Sequence, residues 1–555
     1  MRRTVAWARS LQPLVLLACL GSVASSDARC LTQAATASEG AEATGEGQSA
    51  AGTAPEIVPA EGAPGEKELK HVRNRWRSFD LQGHPEYTFK IHDPYNQSVL
   101  KGDFPIKGNW FLEVNALNTM VYKSRRNLDF RPRFPELATQ YNDYNNAYNE
   151  NIFFGFELRH FDDNFVPSDF RFRINGAGDV KHDPNALIAG TRSSPHLFDA
   201  FMDVRLRDFG HDNFDLLFLR GGLQGFKSEF HGLIFNDVGL GGRIFGELKR
   251  NRLRYDFGYF KLFQKNAVAG FTDFGIPSAH QVAIARLTWE DLVPGWNSEW
   301  TFHYNNDDRE LPTPTGLGEL DTFYVGASFN GHIGRFTFNP AVHGVFGNAN
   351  YRPVGLPAES HSVAAWTALL DWQFKLDFWN FRAGYLYASG DGNPGDDRDT
   401  GFDSISDGIT LFGGPLSYWV GENVKFGNGD FLRANSAFPS LRTANQPANH
   451  INPGLHAFNF GVDMTLSPRF DFSANFNYLR FAQTGAYTNR VTITSNSAAL
   501  EQNFFLRWRP FLRRANQNVL LDVGFSVLEP RQGMRDAFGS DRTVFTNFLA
   551  LRLLY

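Results

Sequence analysis

Cysteine is almost absent from this 555-residue chain: Cys19 and Cys30 are the only two, both near the N-terminus. Neither a disulfide framework nor a cysteine-built zinc site is therefore open to the body of the chain. Methionine is scarce as well, at 5 residues, and no stretch supplies the roughly 18 or more apolar residues of a spanning helix. The 15 histidines are scattered without an HExxH pair, and there is neither a GxSxG elbow nor a P-loop. These absences lead us to expect no metal, no cofactor and no enzyme. The formal net charge of −5 is small for the length, and we expect no nucleic-acid partner.

Phenylalanine and glycine are abundant instead, with 54 and 52 residues, and aromatics make up 15% of the chain. Strands and interfacial aromatic girdles use such residues. A mean hydropathy of −0.34 suits a membrane barrel, half of whose residues face water. At the N-terminus, Arg2, Arg3 and Arg9 flank the start of an apolar run at 14–20, and Ser22-Val23-Ala24 reads as a cleavage site. Residues 1–24 are thus expected to be an export signal, although Leu16-Leu17-Ala18-Cys19 also admits a lipoprotein signal. Residues 25–70 have almost nothing large to bury and read as a disordered linker. Residues 71–108 lack periodicity and are expected to form a periplasmic or plug-like segment at a barrel mouth.

The period-two pattern is clearest in residues 213–263. Val238, Leu240, Ile244 and Leu248 alternate with Arg243 and Glu247, and after a tight turn at 249–252, Leu253, Tyr255, Phe257 and Tyr259 alternate with Arg254 and Asp256. This alternation predicts two antiparallel strands. From residue 109 to 555 the pattern yields about 18 strands of about 9 to 11 residues. Short joins, such as 209–212, 249–252 and 293–295, alternate with longer loops, such as 125–150, 176–195 and 389–452. That parity predicts an all-β, antiparallel up-and-down transmembrane barrel in a bacterial outer membrane, with its lipid and the barrel-assembly machinery as partners. The chain end agrees: Leu549, Leu551, Leu553 and the terminal Tyr555 share one face.

An arginine on the lipid face at midplane costs about 2 to 4 kcal/mol, so the arginine-bearing face of each strand is expected to point inward. This assigns Arg159, Arg171, Arg173, Arg205, Arg220, Arg243, Arg254, Arg286, Arg382 and Arg507 to the lumen, with Glu157, Asp203, Glu247, Asp371 and Asp522. Two readings stand for these arginines. They are structural, each paired with an acid, or they form an anion-attracting constriction in which bidentate guanidinium groups guide carboxylates.

The run Arg220-Gly221-Gly222-Leu223-Gln224-Gly225-Phe226, followed by Ser228 to Gly232 and Asn236-Asp237, resembles the glycine-arginine-glutamine strand and loop of the alginate-export group of outer-membrane barrels. Ala388 to Asp391, Gly401-Phe402-Asp403, Phe412-Gly413-Gly414 and Ser417-Tyr418-Trp419 resemble a long loop in relatives of that group. The resemblance implies a porin-like channel whose arginine-rich lumen conducts anionic or polar small solutes, or an anionic polysaccharide such as alginate. Two further readings attach to loop 389–452. One is a barrel enzyme or surface receptor that uses the loop as its working part. The other is a calcium site at Asp391, Asn393, Asp396, Asp397, Asp399 and Asp403, set against a plain solvated loop. Loop 225–237 is the segment of residues 213–263 expected to fold toward the pore.

Overall fold

A computed structural model of the chain describes residues 99–126, 144–161, 167–183, 190–209, 215–265, 272–308, 317–351, 359–406, 408, 412–421, 450–487, 491–511 and 519–554. The expected signal peptide, the linker, residues 71–98 and Tyr555 lie outside the described residues.

The alternating segments form strands of one sheet that closes on itself. A short β1 (Lys101–Lys107) precedes the ring. The ring begins with β2 (Trp110–Arg126), β3 (Tyr144–His160), β4 (Phe170–Asp183), β5 (Gly190–Asp208), β6 (Leu216–Lys227), β7 (Asn236–Leu248) and β8 (Leu253–Lys265). It continues through β9 (Thr272–Val293), β10 (Trp296–Asp307), β11 (Leu317–Ile333), β12 (Phe336–Tyr351), β13 (Glu359–Leu376) and β14 (Trp379–Ala388). A two-residue β15 (Arg398–Asp399) lies in the following loop. The ring resumes with β16 (Leu455–Ser467), β17 (Phe470–Phe481), β18 (Ser497–Trp508), β19 (Val519–Pro530) and β20 (Val544–Leu554). Two short helices, α1 (Tyr418–Gly421) and α2 (Gln532–Phe538), sit in loops.

Each ring strand is antiparallel to its neighbours, and β20 pairs back onto β2 from Leu117↔Leu554 to Arg125↔Thr546. Of the 20 strands in the sheet, β1 and β15 stand outside the ring, so the closed barrel has the 18 expected. Below Leu117 the edge of β2 is taken by β1, which pairs Lys101 with Glu113 and Lys107 with Trp110. Join lengths alternate around the ring. Turns of two residues connect β9 to β10, β11 to β12, β13 to β14 and β16 to β17, whereas the intervening joins at the other end are longer. In the β7–β8 turn, Lys249, Arg250 and Asn251 all have positive φ, a left-handed path that side chains rarely adopt. Asp215 holds it by accepting the Arg250 backbone N–H at 2.8 Å, and the Lys249 ammonium lies 4.4 Å from the Trp289 ring centroid.

The expected register holds along the wall. Phe154, Phe156 and Ile174 are exposed on the outside while Glu157 and Arg173 are buried inside, and Leu240, Ile244 and Phe257 face out opposite buried Arg243 and Asp256. Strand lengths differ from expectation, running from 10 residues in β14 to 22 in β9. Residues 176–195, read as a loop, mostly belong to β4 and β5, with only 184–189 between them. Beyond the hydrocarbon the ladder still satisfies its own backbone, but water solvates both faces. Outward polar residues such as Asn146, Glu150 and His182 therefore replace the apolar alternation that marks a strand within the membrane.

Phe156→Arg places a guanidinium on the lipid face near midplane. It is expected to cost about 2 to 4 kcal/mol, whereas Phe156→Leu costs far less. Denaturant titration of barrels folded into lipid vesicles measures the difference.

Candidate functional site

The lumen has two unlike halves. In the half nearer the long joins, the loop after β6 turns inward over 228–235, and Leu233, Ile234 and Phe235 are fully buried against inward-facing Phe226, Phe260, Val282, Ile284 and Tyr324. A glutamate organises the turn: Glu229 accepts the backbone N–H groups of His231 at 2.7 Å and Ile234 at 3.2 Å. The loop after β14 turns inward beside it. The two meet in a short parallel bridge, where Asn236 N–H donates to Ser406 O at 2.6 Å and Ser406 N–H donates to Ile234 O at 3.0 Å. Loop 225–237 thus follows the inward course expected of it.

Farther along that loop, α1 is pinned to the opposite wall by one carboxylate. Glu501 of β18 accepts the Ser417 hydroxyl at 2.8 Å, the Trp419 backbone N–H at 3.0 Å and the Asn477 amide at 2.8 Å. Phe412 and Trp419 then stack edge-on within the barrel, 5.8 Å apart. The described part of loop 389–452 is therefore barrel filling. Residues 422–449 lie outside the described residues. The acids once weighed for calcium are used one by one: Asp399 meets His361 Nδ1 at 3.0 Å, Asp396 accepts the Arg398 N–H at 3.0 Å, and Asp403 accepts the Ser404 N–H at 3.0 Å. Among the described residues no three metal-ligating side chains gather.

The half nearer the short joins holds all ten arginines singled out in the sequence. The structure brings them into clusters with acids of neighbouring strands. Arg159, Arg171 and Arg173 surround Glu157, and Arg173 also reaches Asp199 at 3.4 Å. Arg220 binds Asp203 in a fork at 2.5 and 2.8 Å and lies 4.0 Å from the Phe201 ring centroid. Arg243 and Arg286 share Asp256, at 2.8 and 3.1 Å. Arg254 pairs with Glu247 and Glu290, Arg382 with Asp463, and Arg507 with Asp522. Arg205 donates to the Pro167 carbonyl at 3.1 Å.

Three of these clusters share a geometry. The acid lies in the wall and at least one guanidinium projects from it. Asp256 is 5% exposed against 27% for Arg286, Glu157 is 7% against 24% for Arg159, and Asp522 is fully buried against 28% for Arg507. The second partner of Asp522, Arg552 at 3.2 Å, was missed in the sequence, although its place between outward Leu551 and Leu553 marks it as inward. Also missed was the polar file Glu299, Thr301, His303 and Asn305 on β10, which is buried and alternates with Trp300, Phe302 and Tyr304.

An even-stranded closed barrel with an apolar outer face, short turns at one end and long loops at the other is an outer-membrane barrel. No family model matches the chain, and no curated protein matches it in sequence. Solved structures similar to it include Pseudomonas aeruginosa OccK5 (OpdH), at 12% identity over 80% of this chain and 98% of that one, with a TM-score of 0.44. A BenF-like porin from Pseudomonas fluorescens Pf-5 is similar at 9% identity over 80% and 98% of the two chains, with a TM-score of 0.46. Pseudomonas aeruginosa OpdQ is similar at 11% identity over 81% and 99%, with a TM-score of 0.45.

Two predictions come from the loop anchors. Glu501→Ala strands the buried Ser417, Trp419 and Asn477 donors. Hydrogen exchange across 417–421 should then speed up by about 100-fold, equivalent to roughly 3 kcal/mol. The second concerns Asp391, whose carboxyl burial raises to about 6, helped by Asp399 and Asp396. Because the folded chain then holds this proton more tightly than the unfolded chain, its contribution to stability is greatest below the ordinary carboxylate range. That contribution is lost as pH rises toward 6. Asp391→Asn should flatten this part of the stability–pH curve, measured by denaturant titration at pH 4, 5, 6 and 7.

Proposed function

We propose that this barrel is a porin-like outer-membrane channel for the passive diffusion or export of small anionic solutes. The observation that carries the reading is the wall geometry of the short-join half: carboxylates recessed, guanidinium groups projecting, and two or three arginines to each of Glu157, Asp256 and Asp522. Recessed acids keep the arginines aligned. Around Glu157 and Asp256 the acids, with Glu113, Asp199 and Glu299, match the arginines in number. The positive inner surface there therefore comes from guanidinium groups that project past mostly recessed acids, and only at Asp522 from an excess of arginine. Such groups bind carboxylates in a planar fork. At physiological salt the screening length is about 8 Å, so such a surface acts on a solute only where the passage is narrow. Of the inward loops, the one after β6 supplies that narrowness where it meets the arginine half, at Arg286, which donates to the Lys227 carbonyl at 3.0 Å.

The same loops bear on solute size. A polyuronate such as alginate needs a continuous wide path, and the apolar packing around Leu233, Phe235, Phe402 and Trp419 stands in it. Small anions therefore fit this interior better than an anionic polysaccharide, whose export requires segments 228–235, 402–406 and 412–421 to move aside.

A planar-bilayer recording under a salt gradient tests the proposal. The reversal potential should report anion preference. Arg286→Gln together with Arg552→Gln should shift it toward cations, because each change leaves Asp256 or Asp522 its other arginine and so spares the wall. Cation preference in the unmodified protein, or no ion conduction, overturns it.

A further inference from the structure

The outer wall carries a cleft that the channel reading does not use. Between β6 and β10 the outward positions are not uniformly large. Gly242, Ala283 and Ala285 form a low floor, while Leu219, Ile244, Phe257, Tyr259 and Phe302 stand around it. The result is an open apolar cleft of about 530 Å³, within the size range of small-molecule sites. Its floor has room to spare: a Cβ built on Gly242 meets only the Arg220 carbonyl oxygen, at 3.8 Å, and one on its cross-strand partner Gly221 meets nothing within 4 Å. Neither glycine has a backbone angle that demands glycine, so backbone conformation does not explain their use here.

The cleft lies within the belt that faces hydrocarbon, and a cation stands at its upper end. Lys261 is exposed on the outer face of β8, opposite Leu240 on one side and Gln281 on the other, and two residues beyond Tyr259, which is hydrogen-bonded to Gln281. It is eight residues from Leu253 at the short-turn end. At about 3.4 Å per residue and a tilt of about 40°, that places its backbone about 20 Å above Leu253 in a belt about 25 Å tall, from where the long lysine side chain reaches up to the far headgroups. The nearest outward acids, Asp308 and Asp321, lie two and three strands away; Asp308 accepts from the Asn306 amide at 3.1 Å, and Asp321 from Tyr304 at 2.9 Å and Asn306 at 3.0 Å.

We infer that this cleft seats one acyl chain of an anionic membrane lipid whose phosphate is held by Lys261. The surrounding solvent is hydrocarbon, so an apolar recess there has no hydrophobic reason to attract a protein. It gains instead by close packing against a chain that fits. The positive charge at the headgroup end selects the anionic lipid among those available, at about 1 kcal/mol per lysine near the surface.

The test is native mass spectrometry of the full barrel, stripped of lipid in detergent and titrated with phosphatidylglycerol or phosphatidylcholine. One phosphatidylglycerol should be retained. Gly242→Phe should weaken its binding at least about tenfold, and Lys261→Gln should reduce the preference over phosphatidylcholine about fivefold, the ratio equivalent to 1 kcal/mol. If Gly242→Phe fails to fold, as judged by heat-modifiable gel mobility, Ala283→Leu narrows the same floor. Equal lipid retention by the filled and open clefts overturns the inference and leaves only annular lipid. An oligomer that Gly242→Phe dissolves without altering lipid retention also overturns it, and assigns the cleft to a second copy of the chain.

Discussion

The bilayer core offers no hydrogen-bond partner to a backbone, and the rest of this molecule depends on how that constraint is met. Every lipid-exposed strand needs a neighbour on both sides, so the sheet must close, and the β2–β20 seam closes it. Closure has a local cost at the seam, where β20 ends at Leu554 and reaches only Leu117 of β2. The stub of edge below is covered by β1, whose Lys101 side chain also donates to the Val114 carbonyl at 2.7 Å. Once the ring is shut, side-chain direction alternates by necessity, and one face of each strand inherits lipid while the other inherits the interior.

That interior is filled by two physically different means. At the long-loop end, inward segments bury aliphatic and aromatic side chains as a soluble core would, and buried carboxylates, Glu229 and Glu501, gather backbone and side-chain donors that lack water. At the short-turn end, charge is kept against charge along the wall. Forked pairs such as Arg220 with Asp203, capped by the Phe201 ring, are too enclosed to leave either partner alone. The partly open arginines belong to clusters whose acids are more deeply set. The same residues thus hold the wall together, and the proposed attraction of anions rests on those that project.

Much of this was legible in the chain. The parity of short and long joins gave the strand number and the polarity of the barrel, and the cost of a charge in lipid assigned each strand its faces, from Phe154 and Phe156 outward to Glu157 and Arg159 inward. The same rule applied to the last strand would have found Arg552. Strand ends were hidden where both faces meet water, as in 176–195, because alternation is a signature of one apolar side. The calcium reading of 391–403 came from counting oxygens along a loop. Folding spends those carboxylates on separate local donors.

What the sequence determined by itself is the set of properties that follow from one residue and its medium: strand or turn, lipid or lumen, an even ring of antiparallel strands. Those rest on a free energy paid position by position, so order along the chain suffices to read them. Only the tertiary structure decided which arginine meets which acid, that 228–235, 402–406 and 412–421 turn into the lumen, and that Gly242, Ala283 and Ala285 share one outer cleft. Each of these depends on the stagger between strands and on contacts between segments far apart in the chain, such as the Tyr418 hydroxyl on the Arg126 carbonyl, 292 residues away. A period of two carries no information about that stagger, and the closing of the ring fixes it.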